Sequence, residues 1–198
     1  SESIRYQLLL GHYRTKISFS PNKKHESDKV IQRITSKDLN TVISQPFVYF
    51  PLPHEPEYTI QSLCREFSDV LACLKQVSLG LPVGVNLVVK EHQRPGNRSK
   101  KFYESLEGLP NVFLASSTTN ADILIARCEA VVSMGGSTPA EAIRIGKLSL
   151  VFGNRNPYSG LKSVTFVENP RHVHEALSRL LRPREKNEIA ETINEAKE

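Results

Sequence analysis

Several features that define common classes of protein are missing from this sequence of 198 residues. No segment approaches the ~18 consecutive apolar residues of a membrane-spanning helix. The N-terminal segment has a short apolar run but lacks the small-residue cleavage site of a signal peptide. Cys64, Cys73 and Cys128 form no CxxC pair, which argues against zinc and favours buried, reduced thiols. We therefore expect a cytoplasmic protein without a metal.

Two common nucleotide-binding motifs are also absent. No GxGxxG follows the first predicted strand, so the dinucleotide fingerprint is missing. The pair Gly146-Lys147 lacks the rest of a P-loop, because Glu141 stands where its first glycine belongs and Leu148 where its Ser or Thr belongs. The formal net charge of +5 suits an anionic ligand, but no aromatic and basic platform supports an RNA-binding surface. Nucleic acid is therefore not an expected partner.

What the sequence does contain is a regular alternation of strands and helices from Phe47 onward. The predicted strands are 47–52, 84–90, 111–115, 129–134, 148–153 and 163–167. The predicted helices are 60–79, 99–107, 120–127, 138–145 and 170–182. Continuous apolar strands that alternate with helices predict an α/β fold: a Rossmann-like parallel sheet with helices on both faces.

The composition also suggests how the chain is divided. Residues 1–45 are polar with weak helical periodicity, and we interpret them as a helical linker or the remnant of a preceding domain. Residues 46–183 form the predicted Rossmann-like domain, and 184–198 a C-terminal helix or tail. Ligands of such sheets bind beyond the carboxyl ends of the strands. The informative loops are therefore 51–59, 90–98 and 134–141.

The loop 134–141 has the composition of an anion site. Gly135 and Gly136 allow the backbone to approach a ligand closely, and Ser137 and Thr138 can cap the next helix or donate to a phosphate. Glu141 lies one turn further on, within reach of a ribose hydroxyl. The alternative is a simple capping box formed by Thr138 and Glu141.

The other two loops carry histidines. Lys90, His92, Arg94 and Arg98 follow a buried strand, and a histidine there can donate to a phosphate and later protonate it as it leaves. The alternative for His92 is a structural or merely exposed side chain. The third loop places His54, Glu55 and Glu57 among three prolines, where a rigid crossover is as reasonable as a binding role.

Four segments resemble the capsule polysaccharide biosynthesis family of glycosyltransferases, which are relatives of the bacterial Kdo transferases. They are "VYFPLPHEPEYT", "LPVGVNLVVKEHQ", "LPNVFLASS" and "EAVVSMGGSTPAEAIRIGKLSLVFG", and their order and spacing match over about 47–168. The resemblance implies one half of a GT-B fold, the half that binds a nucleotide sugar, for which a CMP-sugar is the expected donor. It implies no cofactor and no metal, a capsule or other surface glycan as product, and a place in the cytoplasm or at the inner face of the membrane, with peripheral membrane association as a further expectation.

The resemblance also assigns residues. The family's Lys-x-His-Pro segment falls on Lys90, Glu91 and His92, with Gln93 in place of the proline. The expected donor-binding residues are Lys90, Gly135, Gly136, Ser137, Thr138 and Glu141, with His92 as donor to the leaving phosphate and His54, Glu55 and Glu57 lining the cleft.

In this family the glycan acceptor binds to an N-terminal domain, for which residues 1–45 are too few. We therefore expect the chain to bind nucleotide but to be inactive as an isolated domain. Two alternatives remain open: a non-catalytic nucleotide- or glycan-binding module, which the Gln93 departure favours, and a sugar-nucleotide epimerase, against which the capsule-like segments argue.

Overall fold

The computed structural model of the chain describes residues 39–54, 64–92, 98–153 and 157–196. Within these residues six strands form one sheet, in the order β3-β2-β1-β4-β5-β6, and every pair of neighbours is parallel. In chain order they are β1 (Phe47–Pro51), β2 (Asn86–Lys90), β3 (Val112–Ala115), β4 (Ala130–Ser133), β5 (Leu148–Phe152) and β6 (Val164–Val167).

Helices cover both faces of the sheet, which is why its strands are apolar throughout rather than alternating. The helices are α1 (Leu39–Ile43), α2 (Val70–Gly80), α3 (Lys100–Glu107), α4 (Ala121–Arg127), α5 (Thr138–Arg144), α6 (Val173–Leu180) and α7 (Lys186–Glu195). Side chains of α2, α3 and α6 form one apolar cluster with the sheet, and those of α1, α4 and α5 contribute to the clusters on the other face. The predicted Rossmann-like α/β fold is confirmed.

The registers bring the ends of the central strands level. Phe47 pairs with Asn86 and Pro51 with Lys90, and the Leu52 N–H donates to the Lys90 carbonyl at 2.8 Å, one residue beyond β1. The chain segments that follow β1 and β2 therefore leave the sheet side by side.

The last helix supports the helix that follows β4. The Arg184 side chain donates from Nη1 to the Gly146 carbonyl, at the end of α5, at 2.8 Å. Gly146 has a φ of 79°, and a Cβ there would lie 2.7 Å from Ile189 of α7. A residue with a Cβ would be strained at this φ and would also collide with Ile189. Only glycine therefore fits where the two helices meet.

One predicted helix differs from the structure. Of the helix expected over 60–79, residues 60–63 and the expected cap Thr59 lie outside the described residues. After them come a 3-10 turn at Arg65–Phe67 and then α2, which begins at Val70 with Asp69 as its N-terminal cap. The Asp69 carboxylate accepts from the Ala72 N–H at 3.0 Å, which satisfies a backbone donor that would otherwise lack a partner at the helix start. The apolar periodicity of the sequence runs across this cap, which is why the start of α2 was not predicted.

The six predicted strands and the helices predicted over 99–107, 120–127 and 138–145 are present, with ends that differ by no more than two residues. The segment 170–182 is divided into a 3-10 turn, Pro170–His172, and α6. Asn169 caps that turn by accepting from the Arg171 N–H at 3.0 Å.

Candidate functional site

The carboxyl ends of β1 and β4 form the point at which the strand order reverses. From β1 the chain continues to β2 on one side, and from β4 it continues to β5 on the other. The connections therefore diverge from this pair of strands and leave a crevice above them, which is where open α/β sheets bind their ligands.

A cleft of about 190 Å³ lies at this place. One side, here called the histidine wall, is formed by Pro51–His54 and His92. The other, the glycine wall, is formed by Ser133–Thr138. None of these lining residues is acidic, so the described part of the cleft presents no carboxylate that would repel an anion.

The glycine wall depends on two residues with positive φ. Gly135 has a φ of 136° and Gly136 a φ of 78°, a region that residues with a Cβ rarely adopt. The Ser133 hydroxyl accepts from the Gly135 N–H at 3.1 Å and donates to the Gly135 carbonyl, which closes the turn. The N–H groups of Gly136, Ser137 and Thr138 donate to no acceptor within the described residues. Such amides are suitable donors for a phosphate.

The start of α5 differs from the capping box that was the alternative for this loop. The cap residue is Ser137 rather than Thr138, and its side chain makes no cap bond to the backbone of the helix. The Ser137 hydroxyl instead donates to Glu141 Oε1 at 2.7 Å. Pro139 occupies the first turn, where no N–H is required. The capping box that was the alternative for Thr138 and Glu141 is therefore not formed.

Tyr158, which the sequence interpretation did not single out, holds the glycine wall from behind. It lies between β5 and β6, and its hydroxyl donates to the Gly136 carbonyl at 2.5 Å. Burial raises the pKa of this phenol, so it remains a donor at neutral pH. The only signal in the sequence is its position after β5, the strand that neighbours β4, and this signal requires the strand order to be known.

The two histidines of the opposite wall are neighbours. His54 and His92 have ring centroids 5.6 Å apart, at an interplanar angle of 47°, and both side chains are exposed. They follow β1 and β2, whose level ends place these positions side by side. The structure therefore brings His54 and His92 to one edge of the cleft, facing the turn formed by Gly135 and Gly136.

A buried ionised cluster lies behind these histidines. Glu91 is 2% exposed, and its carboxylate accepts from Arg98 Nη1 at 2.8 Å and from the Tyr103 hydroxyl at 2.7 Å. Arg98, one of the basic residues that follow the second predicted strand, has a buried side chain that is bound to Glu91 and to the Pro53 carbonyl. Burial, followed by the nearby Glu91 carboxylate, raises the pKa of Tyr103 well above its usual range.

Lys90 lines a different cleft. Its side chain is buried, and its ammonium donates to the carbonyls of Glu91 at 3.2 Å and Ser117 at 3.1 Å. With residues 117–122 it borders a cleft of about 480 Å³ beyond β2 and β3. Burial lowers the pKa of Lys90, with Glu91 opposing the effect.

The remaining sequence-predicted site residues divide into two groups. Ser137 and Thr138 line the cleft with the two glycines, whereas Glu141 lies one turn into α5 and does not border it. Glu55 and Glu57 lie outside the described residues, and so does Arg94.

The three cysteines were expected to be buried and reduced, and no metal site was expected. Cys64, Cys73 and Cys128 are all buried and unbridged, and burial raises the pKa of Cys73 and of Cys128 to about 12. Among residues 39–54, 64–92, 98–153 and 157–196, no three His, Cys, Asp or Glu side chains gather as metal ligands would. No helix within the same ranges is long and apolar enough to cross a bilayer.

Comparisons with known proteins identify the fold. WaaG, a glycosyltransferase involved in lipopolysaccharide biosynthesis, superposes with a TM-score of 0.54 at 16% identity, over 86% of this chain and 45% of its own. Anabaena Alr3699/HepE, solved in complex with UDP-glucose, gives 0.56 at 12% identity, over 85% and 46%. The UDP-GlcNAc 2-epimerase of Methanocaldococcus jannaschii gives 0.53 at 14% identity, over 86% and 52%.

These similarities define one domain of a GT-B fold, the class to which the structural neighbours belong. The chain spans about half the length of each of the three. No family model and no curated protein matches the sequence.

Proposed function

We propose that this chain is the nucleotide-sugar-binding half of a GT-B glycosyltransferase that builds capsule or another surface polysaccharide. The observation that carries the proposal is the cleft at the reversal of strand order, where the glycine turn and the pair His54 and His92 face each other. Its shape, the absence of carboxylates among its described lining residues, and amides that donate to no described acceptor suit a phosphate group.

The roles of individual residues follow from their positions. The amides of Gly136, Ser137 and Thr138 are proposed to hold the donor phosphate, and His92 to donate a proton to that phosphate as it leaves the sugar. Glu141 is proposed to accept from a ribose hydroxyl through Oε2, because Oε1 already accepts from Ser137. This half of the enzyme thus stabilises the leaving group, and the acceptor with its activating base belongs to the other half.

The donor is proposed to be a CMP-sugar, on the resemblance of the sequence to relatives of the Kdo transferases. Two structural neighbours were instead solved with a uridine nucleotide: S. aureus MnaA with UDP and HepE with UDP-glucose. If the binding experiment shows that a uridine nucleotide binds, the proposed reaction class stands and only the base of the donor changes.

Two other functions compete with this one. A non-catalytic binding module is favoured by Gln93, which stands where the family has proline. An epimerase is favoured by the similarity to UDP-GlcNAc 2-epimerase, which shares the fold at a comparable TM-score. A transferase half binds donor and leaves the sugar unchanged, whereas an epimerase converts UDP-GlcNAc to a second sugar nucleotide.

The test is thermal unfolding of the chain with CMP, CDP, UDP, GDP, UDP-GlcNAc or NAD in excess. A ligand at about ten times its dissociation constant stabilises by roughly 1.4 kcal/mol, which is about 3–6 °C in midpoint for a domain of this size. We expect a shift with CMP that His92→Ala abolishes, with the exposed His172→Ala as the matched control that keeps it. No shift with any nucleotide would contradict the proposed donor site.

Catalysis is tested separately by incubating the bound nucleotide sugar with a glycan acceptor and following the released nucleotide. We expect no turnover by the 198 residues alone. Sugar transfer to the acceptor by this chain alone would contradict the proposal that the acceptor binds to another domain. Conversion of UDP-GlcNAc in the absence of an acceptor would favour the epimerase.

A further inference from the structure

The starting point is the position of the buried cluster relative to the two histidines. Glu91 directly precedes His92, and Glu91 Oε1 accepts from the His92 backbone N–H at 2.8 Å. The same carboxylate accepts from Arg98 and Tyr103. The backbone of the second histidine-bearing segment is therefore fixed by a side chain that is itself held from the far side.

Arg98 extends this connection to the other histidine. Its Nη2 donates to the carbonyl of Pro53, the residue directly before His54, while its Nη1 remains on Glu91. Its guanidinium also lies 5.4 Å from the centre of the Phe102 ring. One planar cation thus joins the segment after β1 to the segment after β2, at the residues that adjoin His54 and His92.

A buried ion pair is not the most stabilising way to fill the volume between these two segments. Moving two charges out of water costs much of what their attraction returns, and apolar side chains of similar volume are often at least as stabilising. What the pair adds is direction: the guanidinium has fixed donors, which hold two backbone segments at one mutual distance.

We infer that Glu91 and Arg98 are positioning residues that fix His54 and His92 as one rigid pair for binding the donor phosphate. The inference rests on the proposed function, because it assigns the histidines a common ligand. Neither residue lines the cleft. They act through the backbone of Pro53 and His92, so their removal should move the histidines without removing any group that touches a ligand.

The first experiment follows the histidine rings by NMR in the whole chain. We expect a nuclear Overhauser contact between the His54 and His92 rings in the wild type, and its loss in Arg98→Met. His174, whose Nδ1 lies 3.2 Å from the Gly80 carbonyl, serves as an internal reference that should not shift. The matched control is Arg179→Met, which breaks the exposed pair with Glu175 and should leave all these signals in place.

A second variant guards against a simple failure to fold. Glu91→Gln combined with Arg98→Met leaves no unpaired buried charge. The oxygen of the new amide can still accept from the His92 N–H, and its NH2 group can donate to the Tyr103 hydroxyl oxygen. This double variant should fold with one cooperative transition, yet lose the contact between the rings because the Arg98 donor to the Pro53 carbonyl is gone. A folded double variant that keeps the ring contact would overturn the inference.

Binding of CMP and UDP by calorimetry completes the test. If the correct histidine arrangement falls to a tenth of the population, the apparent dissociation constant rises about tenfold. We expect this loss in the double variant and none in Arg179→Met. Unchanged affinity despite a lost ring contact would also overturn the inference. If the wild type binds no nucleotide, the proposed function fails, and the NMR signals alone then decide whether Glu91 and Arg98 position the histidines.

Discussion

Pro53 and His92 on one side of the cleft, and Gly135 and Gly136 on the other, are held from behind by different chemistry. Behind the histidine wall lie a carboxylate and a guanidinium, both almost fully removed from water. Behind the glycine wall lie the hydroxyls of Ser133 and Tyr158, and the turn itself is set by glycine backbone angles.

The difference predicts how each wall responds to change. A neutral hydroxyl can be removed at the cost of one hydrogen bond, whereas removing one member of a buried ion pair leaves an uncompensated charge. Tyrosine occurs on both sides and makes the comparison direct: Tyr103 donates to a carboxylate, and Tyr158 donates to a carbonyl. The histidine wall should therefore be the more sensitive of the two.

The largest effect is expected for Arg98→Met. The variant leaves Glu91 charged and buried without its cation, and we expect a loss of about 3–5 kcal/mol in the free energy of unfolding. Chemical denaturation followed by circular dichroism measures it. The double variant Glu91→Gln/Arg98→Met should recover a large part of the loss, because no isolated charge remains. A single variant as stable as the double would show that the pair is not energetically coupled.

The next effect is expected for Tyr103→Phe. Loss of a hydrogen bond to a charged group should cost about 1.5–3 kcal/mol. The pH dependence provides a second readout: the unfolded tyrosine ionises near its ordinary pKa of 10.0, whereas the pKa of folded Tyr103 is raised by burial and Glu91. Its contribution is complete below pH 10 and declines above it as the unfolded chain loses the proton. The decline should be less steep in the variant, and equal slopes would contradict this account.

Gly136→Ala tests the glycine wall through its backbone. A Cβ at Gly136 meets no atom within 4 Å, so the change introduces only the strain of a positive φ of 78°. That strain costs about 1–2 kcal/mol and should also weaken nucleotide binding by turning the amides. Gly84 has a φ of 87° and equally open surroundings away from the cleft. Gly84→Ala should therefore cost similar stability and leave nucleotide binding intact. If both alanine variants weakened nucleotide binding equally, the turn at Gly136 would have no specific role in binding.

Tyr158→Phe is expected to reduce stability less than Tyr103→Phe or Gly136→Ala. It removes a neutral hydrogen bond to the Gly136 carbonyl and should cost about 0.5–1.5 kcal/mol. The comparison of Tyr158→Phe with Tyr103→Phe under identical conditions sets a more exposed hydrogen bond to a carbonyl against a buried one to a carboxylate. A larger loss at Tyr158 would reverse the proposed ranking of the two walls.

The sheet could be predicted from local sequence because its signals are local. Each strand is a short run of apolar residues, and caps such as Asn120 and Ser99 stand directly before their helices. The glycine turn was recognisable for the same reason, since two successive glycines before a helix need no distant partner to suggest a tight backbone. The helix start at Val70 was not predicted, because the apolar periodicity of the sequence continues across the cap at Asp69.

The supports behind both walls could not be predicted in this way. Arg98 contacts Pro53 across 45 residues of sequence, and Tyr158 contacts Gly136 across 22. A basic residue in a loop after a strand has the same local appearance whether it faces a ligand or a buried carboxylate. Its role depends on which strands are neighbours, and that order emerges only with the whole sheet.

The smallest effect is expected where an arginine and a glutamate meet in water. Arg179 Nη2 lies 2.6 Å from Glu175 Oε1, much like the contact of Arg98 with Glu91, but its side chain is 76% exposed rather than 0%. Arg179→Met should cost no more than about 0.5 kcal/mol, because solvent already screens the pair. The same substitution at two similarly short contacts thus separates the effect of burial from that of contact distance. If Arg98→Met and Arg179→Met lost equal stability, burial would not explain the sensitivity of the histidine wall. The two walls would then differ only in the geometry of their contacts.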